Sequence, residues 1–202
     1  MTNLKFKKQV IYFTAVLFLA FGSCKKEKAE KEEVPETITK VKLTFTNDNK
    51  AAAVVIAEDP DGNGVQPWKA APIKLSPGKK YDLSISLYNG LLKASDPGYD
   101  LTDEIRKEGD EHQFFFKWTN GLFADPAGDG NMDNRNDPVN YVDKDQTGAP
   151  IGLKTKWTTK NEPSSGGTWQ IVLKHQPDLK GSNSSSKDGE TDLDITFPIT
   201  VE

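Results

Sequence analysis

The sequence predicts a mainly β protein, a single immunoglobulin-like antiparallel β-sandwich with one short helical insertion. Three observations predict it. Apolar and polar residues alternate with period two over short runs, as they do where a strand buries one face. Clusters of Gly, Pro, Asn, Asp and Ser break those runs roughly every ten residues, a spacing typical of sandwich strands. Helical patterns do not alternate with the strands, which disfavours a parallel α/β sheet. The 202 residues suit one domain large enough to do without disulfide staples, and the single cysteine has no partner for an internal bridge.

The first stretch sets the address. Lys5, Lys7 and Lys8 precede an apolar run from Val10 to Phe21, and Gly22 and Ser23 lead into Cys24. This is the build of a secretory signal peptide, and the run is shorter than the roughly 20 apolar residues of a membrane-spanning helix. The segment FGSC resembles the lipobox of bacterial lipoproteins, with Phe21 where an aliphatic residue is usual. That resemblance implies cleavage before Cys24, a diacylglyceryl group on its thiol and an anchor at the outer membrane, facing the periplasm or the surface. A lipidated Cys24 leaves the mature chain no thiol for catalysis or metal binding. The expected layout is a signal peptide over 1–23, a charged disordered tether over 24–40 and the sandwich over 41–202; KKEKAEKEE carries no aromatic residue with which to bury surface.

From Val41 the strands follow in order. VKLTFT sets Val41, Leu43 and Phe45 on one face, and AAVVIAE returns after the turn NDNK. APIKL and YDLSISLYN come next, the latter alternating Tyr81, Leu83, Ile85 and Leu87 with polar residues. LTDEIRKEGDEH reads as a short helix capped by Thr102 or Asp103, with Leu101 and Ile105 facing inward. QFFFKW resumes the strands, a long loop rich in Asp, Asn, Gly and Pro covers 119–150 around VNYV, and IGLKTKWTT, TWQIVLKH and DLDITFPITV complete the set.

VKLTFTN, DPDGNG, EIRKEGDEHQFFF, GAPIGL, VLKHQPDLK and GETDLDITFPITV together resemble a group of flavobacterial (Bacteroidetes) lipoproteins catalogued as type 1 periplasmic binding fold superfamily proteins. The resemblance runs from about Val41 to Val201. It implies a place beside TonB-dependent outer-membrane receptors and implies no established activity. The two hinged α/β lobes in that catalogue name do not match the alternation, which predicts a sandwich.

The formal charge of −4 falls to near −7 once the three lysines of the signal region are removed. Such a balance excludes phosphate-backbone binding, which Lys and Arg drive, so no nucleic-acid partner is expected. Acidic loops suit cations, and two sets of residues are candidate metal ligands. Glu104, Glu108 and His112 would share one face of a continuous helix, although Gly109 opposes one. With Glu111, with His175 at a strand end, and with Glu190, Asp192 and Asp194, they offer imidazole and carboxylate suited to zinc. Asp129, Asn131, Asp133 and Asp137 follow the spacing of oxygen ligands in a calcium loop. That loop lacks the glycine of the sixth position, where Asn134 lies with Arg135 after it, and has Asn140 in place of the closing glutamate. Asp59, Asp61 and Asn63 form a shorter run, as do Asp143 and Asp145, and Asx turns account for the same letters.

Trp68, Trp118, Trp157 and Trp169 with Tyr88 and Tyr141 would offer a platform for sugars if they lay outside the core. G-x-S-x-G, HExxH and a Gly-rich phosphate loop are all missing, so no enzyme is expected. The expected function is a non-enzymatic accessory binding module for a metal ion or nutrient. The alternatives are a structural or adhesion module with calcium-stabilised loops, and a carbohydrate-binding module.

Overall fold

A computed structural model describes residues 37–62 and 68–202. The expected signal peptide, Cys24, Asn63 and most of the tether lie outside the described residues. The first hairpin shows how alternation becomes a sheet. β1 (Lys40–Asn47) buries Val41, Leu43 and Phe45, and β2 (Lys50–Glu58) returns antiparallel beside it, burying Val55 and Ala57. Asp48 and Asn49 turn the chain at φ of 50° and 60°, left-handed backbone that Asp and Asn tolerate and that a two-residue hairpin requires. Ile38 and Thr39 are already buried, and the Thr39 amide donates to Tyr88 O at 3.0 Å, so the domain starts before the expected boundary at Val41.

The remaining strands are β3 (Lys69–Ala70), β4 (Ile73–Leu75), β5 (Lys80–Tyr88), β6 (His112–Trp118), β7 (Phe123–Asp125), β8 (Asn140–Tyr141), β9 (Lys154–Thr159), β10 (Ser164–His175) and β11 (Glu190–Val201). One sheet has the order β3-β2-β1-β5-β9-β7, with β8 also paired to β9; the other has the order β4-β11-β10-β6. Two sheets face to face make a β-sandwich, the predicted class. One pairing is parallel, β4 on β11. The chain passes from the first sheet to the second across Ala71 and Pro72, and so β4 reaches the last strand without reversing direction.

The helix is shorter than the sequence suggests and is capped differently. α1 (Thr102–Lys107) has Leu101 at its N-cap and no side-chain cap. The Thr102 hydroxyl instead accepts the Leu87 amide at 2.9 Å, tying the helix to β5.

Between the sheets the aromatic residues interlock. Trp118, Trp157 and Trp169 come from β6, β9 and β10 and are at most 2 % exposed. Trp157 meets Trp118 edge-on at 5.0 Å and Trp169 at 5.4 Å, while Phe116 lies 5.6 Å from both Trp157 and Trp169. Edge-to-face and offset-stacked pairs of this kind add roughly 0.5–1.5 kcal/mol each beyond burial. This places three of the four tryptophans of the expected sugar platform in the interior, because their positions alternate with outward residues on strands that face the opposite sheet. Trp68 packs partly buried against the same core.

Candidate functional site

The outer face of the four-stranded sheet is open over β11 and roofed over β6 and β10. Gln113 and Phe115 on β6, and Val172 and Lys174 on β10, point away from the core yet are buried. Segments from 129–150 and from 176–189 cover them, and polar staples hold this roof down.

Asn131 is the first staple. Residues 129–131 lie along the edge of β6, with the Trp118 amide on Asp129 O at 2.8 Å and the Asn131 amide on Phe116 O at 2.9 Å. This approach requires Gly130 at φ 111°, since a Cβ there would sit 2.1 Å from Phe116 O. The Asn131 side chain turns inward, its Oδ1 accepting the Phe116 amide at 3.0 Å and its Nδ2 donating to the Tyr141 hydroxyl at 2.9 Å. Tyr141 in turn donates to Phe114 O at 2.6 Å. Burial pushes the Tyr141 phenol up to about 12, against the pull of the Asn131 and Gln113 amides.

The second staple joins loops far apart in sequence. Lys180 Nζ lies 2.8 Å from Asp145 Oδ2 with both side chains at most 2 % exposed, and Lys180 also donates to Gly109 O. Burial draws Lys180 below the ordinary lysine range, and Asp145 partly restores it. Burial opposes the charge of Asp145, but hydrogen bonds from Lys180 and Thr147 outweigh it and hold this carboxyl below its usual range. Asp143 accepts the amides of Gly152, Leu153 and Lys154 at 3.0–3.1 Å. The carboxylates of Asp143 and Asp145 thus serve as loop staples. Gln176 completes the set, donating through Nε2 to Ser185 O at 2.8 Å and Asp188 O at 3.0 Å.

These loops enclose a cleft of about 580 Å³. Gln113 and Phe115 lie in its lining with Asn131 and Tyr141; Val139, Pro138 and Pro150 add apolar surface, and Arg135, Asp137, Ser182 and Ser184 add polar groups. Arg135 donates to Asn183 Oδ1 at 3.2 Å, linking the 129–139 segment to the 176–189 loop.

The expected calcium residues divide. Asp129, Asp133 and Asp137 bring carboxylate oxygens within 4.8 Å of one another, the one such group of three among the described residues. One Asp137 oxygen also receives the Asn134 amide at 2.9 Å. Asn131 does not join them, because the β6 edge turns its side chain into the protein.

The expected helix face of Glu104, Glu108 and His112 does not form, since α1 ends at Lys107 and His112 opens β6. His112 and His175 do meet. They are register partners on β6 and β10, and their rings stack at 4.5 Å and 4°. Each has its own neighbours. His112 Nδ1 lies 3.0 Å from Glu108 O, the backbone carbonyl, and His112 Nε2 lies 3.7 Å from Asp192 Oδ2. His175 Nε2 lies 3.4 Å from Glu111 Oε2. Parallel rings direct their nitrogen lone pairs along parallel planes, and each imidazole has its own carboxylate. Asp59 is buried, and its amide donates to Thr39 O at 2.8 Å.

Sequence reasoning singled out neither Arg135 and Gln113 nor the Lys180–Asp145 pair. Gln113 sits in QFFFKW, where a second buried face obscures the alternation, and Asp145 was legible only as part of an acidic run.

Fold and site together define a two-sheet β-sandwich with a loop-built cleft on the outer face of its smaller sheet. No family model, no curated protein and no solved structure matches this chain.

Proposed function

We propose that this protein is an envelope-anchored lipoprotein acting as a non-enzymatic accessory binding module that captures a small polar solute or a metal ion. The observation that carries the reading is the cleft. Its volume of about 580 Å³ lies within the range of small-molecule sites, and polar groups converge on partly apolar walls held by buried staples. The anchor rests on the Cys24 segment, and placement beside a TonB-dependent receptor rests on the family resemblance. The non-enzymatic reading rests on the two buried histidines, the side chains best suited to proton transfer near neutral pH, which lie outside the cleft lining.

Two measurements test it. A panel of amino acids, amines, sugars and divalent cations is screened against the protein by calorimetry, beside Val139→Trp, which fills the cleft. A ligand that binds the native protein and not the variant supports the reading; a panel without any binder, or binding equal in both, removes it. Cys24→Ser should move the protein into the soluble fraction, and unchanged membrane attachment would remove the anchor.

The acid group favours a second reading, a structural module with a calcium-stabilised loop. Carboxylate oxygens within 4.8 Å are compatible with one calcium ion, whose ligands lie about 2.4 Å from it. A calcium-dependent rise in melting temperature without solute binding would select it.

A further inference from the structure

The same tripeptide, Asn-Gly-Leu, stands at two turns of the domain, as Asn89–Gly90–Leu91 after β5 and as Asn120–Gly121–Leu122 after β6. A third Asn-Gly pair, Asn63–Gly64, lies outside the described residues. In an Asn-Gly pair the glycine amide readily attacks the asparagine side chain, because no Cβ hinders the approach and the backbone rotates freely. The residues that follow the asparagine are identical at both turns, so the fold decides how the two sites differ.

At Asn89 the groups that the attack needs are held. The Gly90 amide donates to Thr39 Oγ1 at 2.7 Å, and Thr39 is buried. The Asn89 side-chain oxygen accepts the Leu91 amide at 3.2 Å, and the Asn89 backbone amide donates to Tyr99 O at 2.9 Å. Gly90 is also hemmed in: a Cβ there would lie 3.3 Å from Thr39 Oγ1 and 3.4 Å from Lys40 Cβ.

At Asn120 those groups are loose. Asn120 is exposed, and among the described residues neither its side chain nor the Gly121 amide has a hydrogen-bond partner. Gly121 sits at φ 94°, and a Cβ on it would meet nothing within 4 Å. The turn is closed by the Leu122 amide on Thr119 O at 3.4 Å, beyond the usual hydrogen-bond range. Its flanks are firmer, with the Thr168 amide on Thr119 Oγ1 at 2.9 Å and the Lys160 amide on Leu122 O at 3.1 Å. The turn can rearrange while the strands beside it stay in place.

We propose that Asn120 is a site of spontaneous deamidation in the folded protein, and that Thr39 protects Asn89 from the same reaction. Solvent base takes the Gly121 amide proton, and that nitrogen attacks Asn120 Cγ. The N–Cγ bond forms as Cγ–Nδ2 breaks, and Nδ2 leaves as ammonia with a proton returned from water. Water then opens the succinimide. Attack at Cγ breaks the new bond and gives an aspartate; attack at the main-chain carbonyl carbon breaks the original peptide bond and gives an isoaspartate. The net change converts a side-chain amide and water into a carboxylic acid and ammonia, so the turn gains a negative charge.

The test ages the purified protein in mildly alkaline buffer and follows each asparagine by peptide mapping with fragmentation, under native conditions and in guanidinium. Native Asn120 should convert at least about tenfold faster than native Asn89, since a hydrogen bond that must break first slows a step by roughly that factor. In guanidinium the two should convert at similar rates. Thr39→Val keeps the side chain's shape and removes its hydroxyl; with its melting temperature monitored, it should speed Asn89 severalfold and leave Asn120 unchanged. Native Asn120 as inert as Asn89, or Asn89 converting as fast as Asn120, would overturn the proposal. A ratio that persists in guanidinium would overturn it too, since the flanking sequence would then suffice. A folded Thr39→Val protein in which Asn89 stays inert would remove the protective role of that hydroxyl.

Discussion

The interior between the sheets and the roof over the smaller sheet are both buried, yet opposite forces hold them. The interior is aromatic, with Trp118, Trp157, Trp169 and Phe116 interlocked across three strands. The roof is stapled by an ion pair, buried amides and carboxylates that accept backbone N–H groups. Apolar burial is non-directional and tolerates sliding, whereas a buried polar group must meet its partner or cost about 1–3 kcal/mol. The polar roof can therefore hold a shaped cleft at its surface, and the aromatic layer supplies the stiff bed beneath it.

Four measurements would break or sharpen this contrast. The largest effect belongs to the interior. Trp169→Ala should cost about 4 kcal/mol in denaturant unfolding, since a buried tryptophan leaves a cavity that its neighbours cannot fill. A loss below about 1 kcal/mol would mean that the aromatic layer does not carry the fold. Lys180→Met comes next, at about 3 kcal/mol, because it leaves the Asp145 charge buried and unpaired. Its damage should be local, with the 129–150 and 176–189 segments becoming protease-sensitive before the strands unfold. Uniform unfolding would show that roof and interior are one cooperative unit.

The third measurement follows pH. The folded Tyr141 phenol titrates at about 12, above its unfolded value near 10, so its contribution is complete below pH 10 and is lost as pH rises toward 12. The native protein should lose about 2 kcal/mol more than Tyr141→Phe over that interval, read as a difference so that lysine titration cancels. Parallel curves would refute the assignment. Asp145, held low, acts at the other end: its contribution is present above the ordinary carboxylate range and fades as pH falls through its folded value. The smallest effect is Asp133→Asn, which should leave stability unchanged or raise it by a few tenths of a kcal/mol, because exposed like charges repel weakly. A clear loss would make the acid group a structural element of the roof.

Much of the sandwich was legible in the sequence, and the legible parts share a cause. Tyr81, Leu83, Ile85 and Leu87 declare their strand because each residue's neighbours two positions away share its face, and that information is local. The Asp48–Asn49 turn is local too. The helix was half legible. Leu101 and Ile105 do face inward, but the Thr102 hydroxyl went to β5, a partner fifteen positions away that no capping rule includes.

The sequence by itself determined a β-sandwich, the positions of most strands and an acidic chain preceded by an export-like segment, since period, composition and turn residues are written within a few neighbouring letters. Tertiary structure alone decided which side chains meet. It stacked His112 on His175, paired Lys180 with Asp145 across 35 positions, turned Asn131 into the protein and brought Asp129 and Asp133 beside Asp137, which lines the cleft. These contacts depend on how loops dock on a sheet edge. That docking is set by hydrogen-bond partners distant in the chain, which local periodicity does not encode.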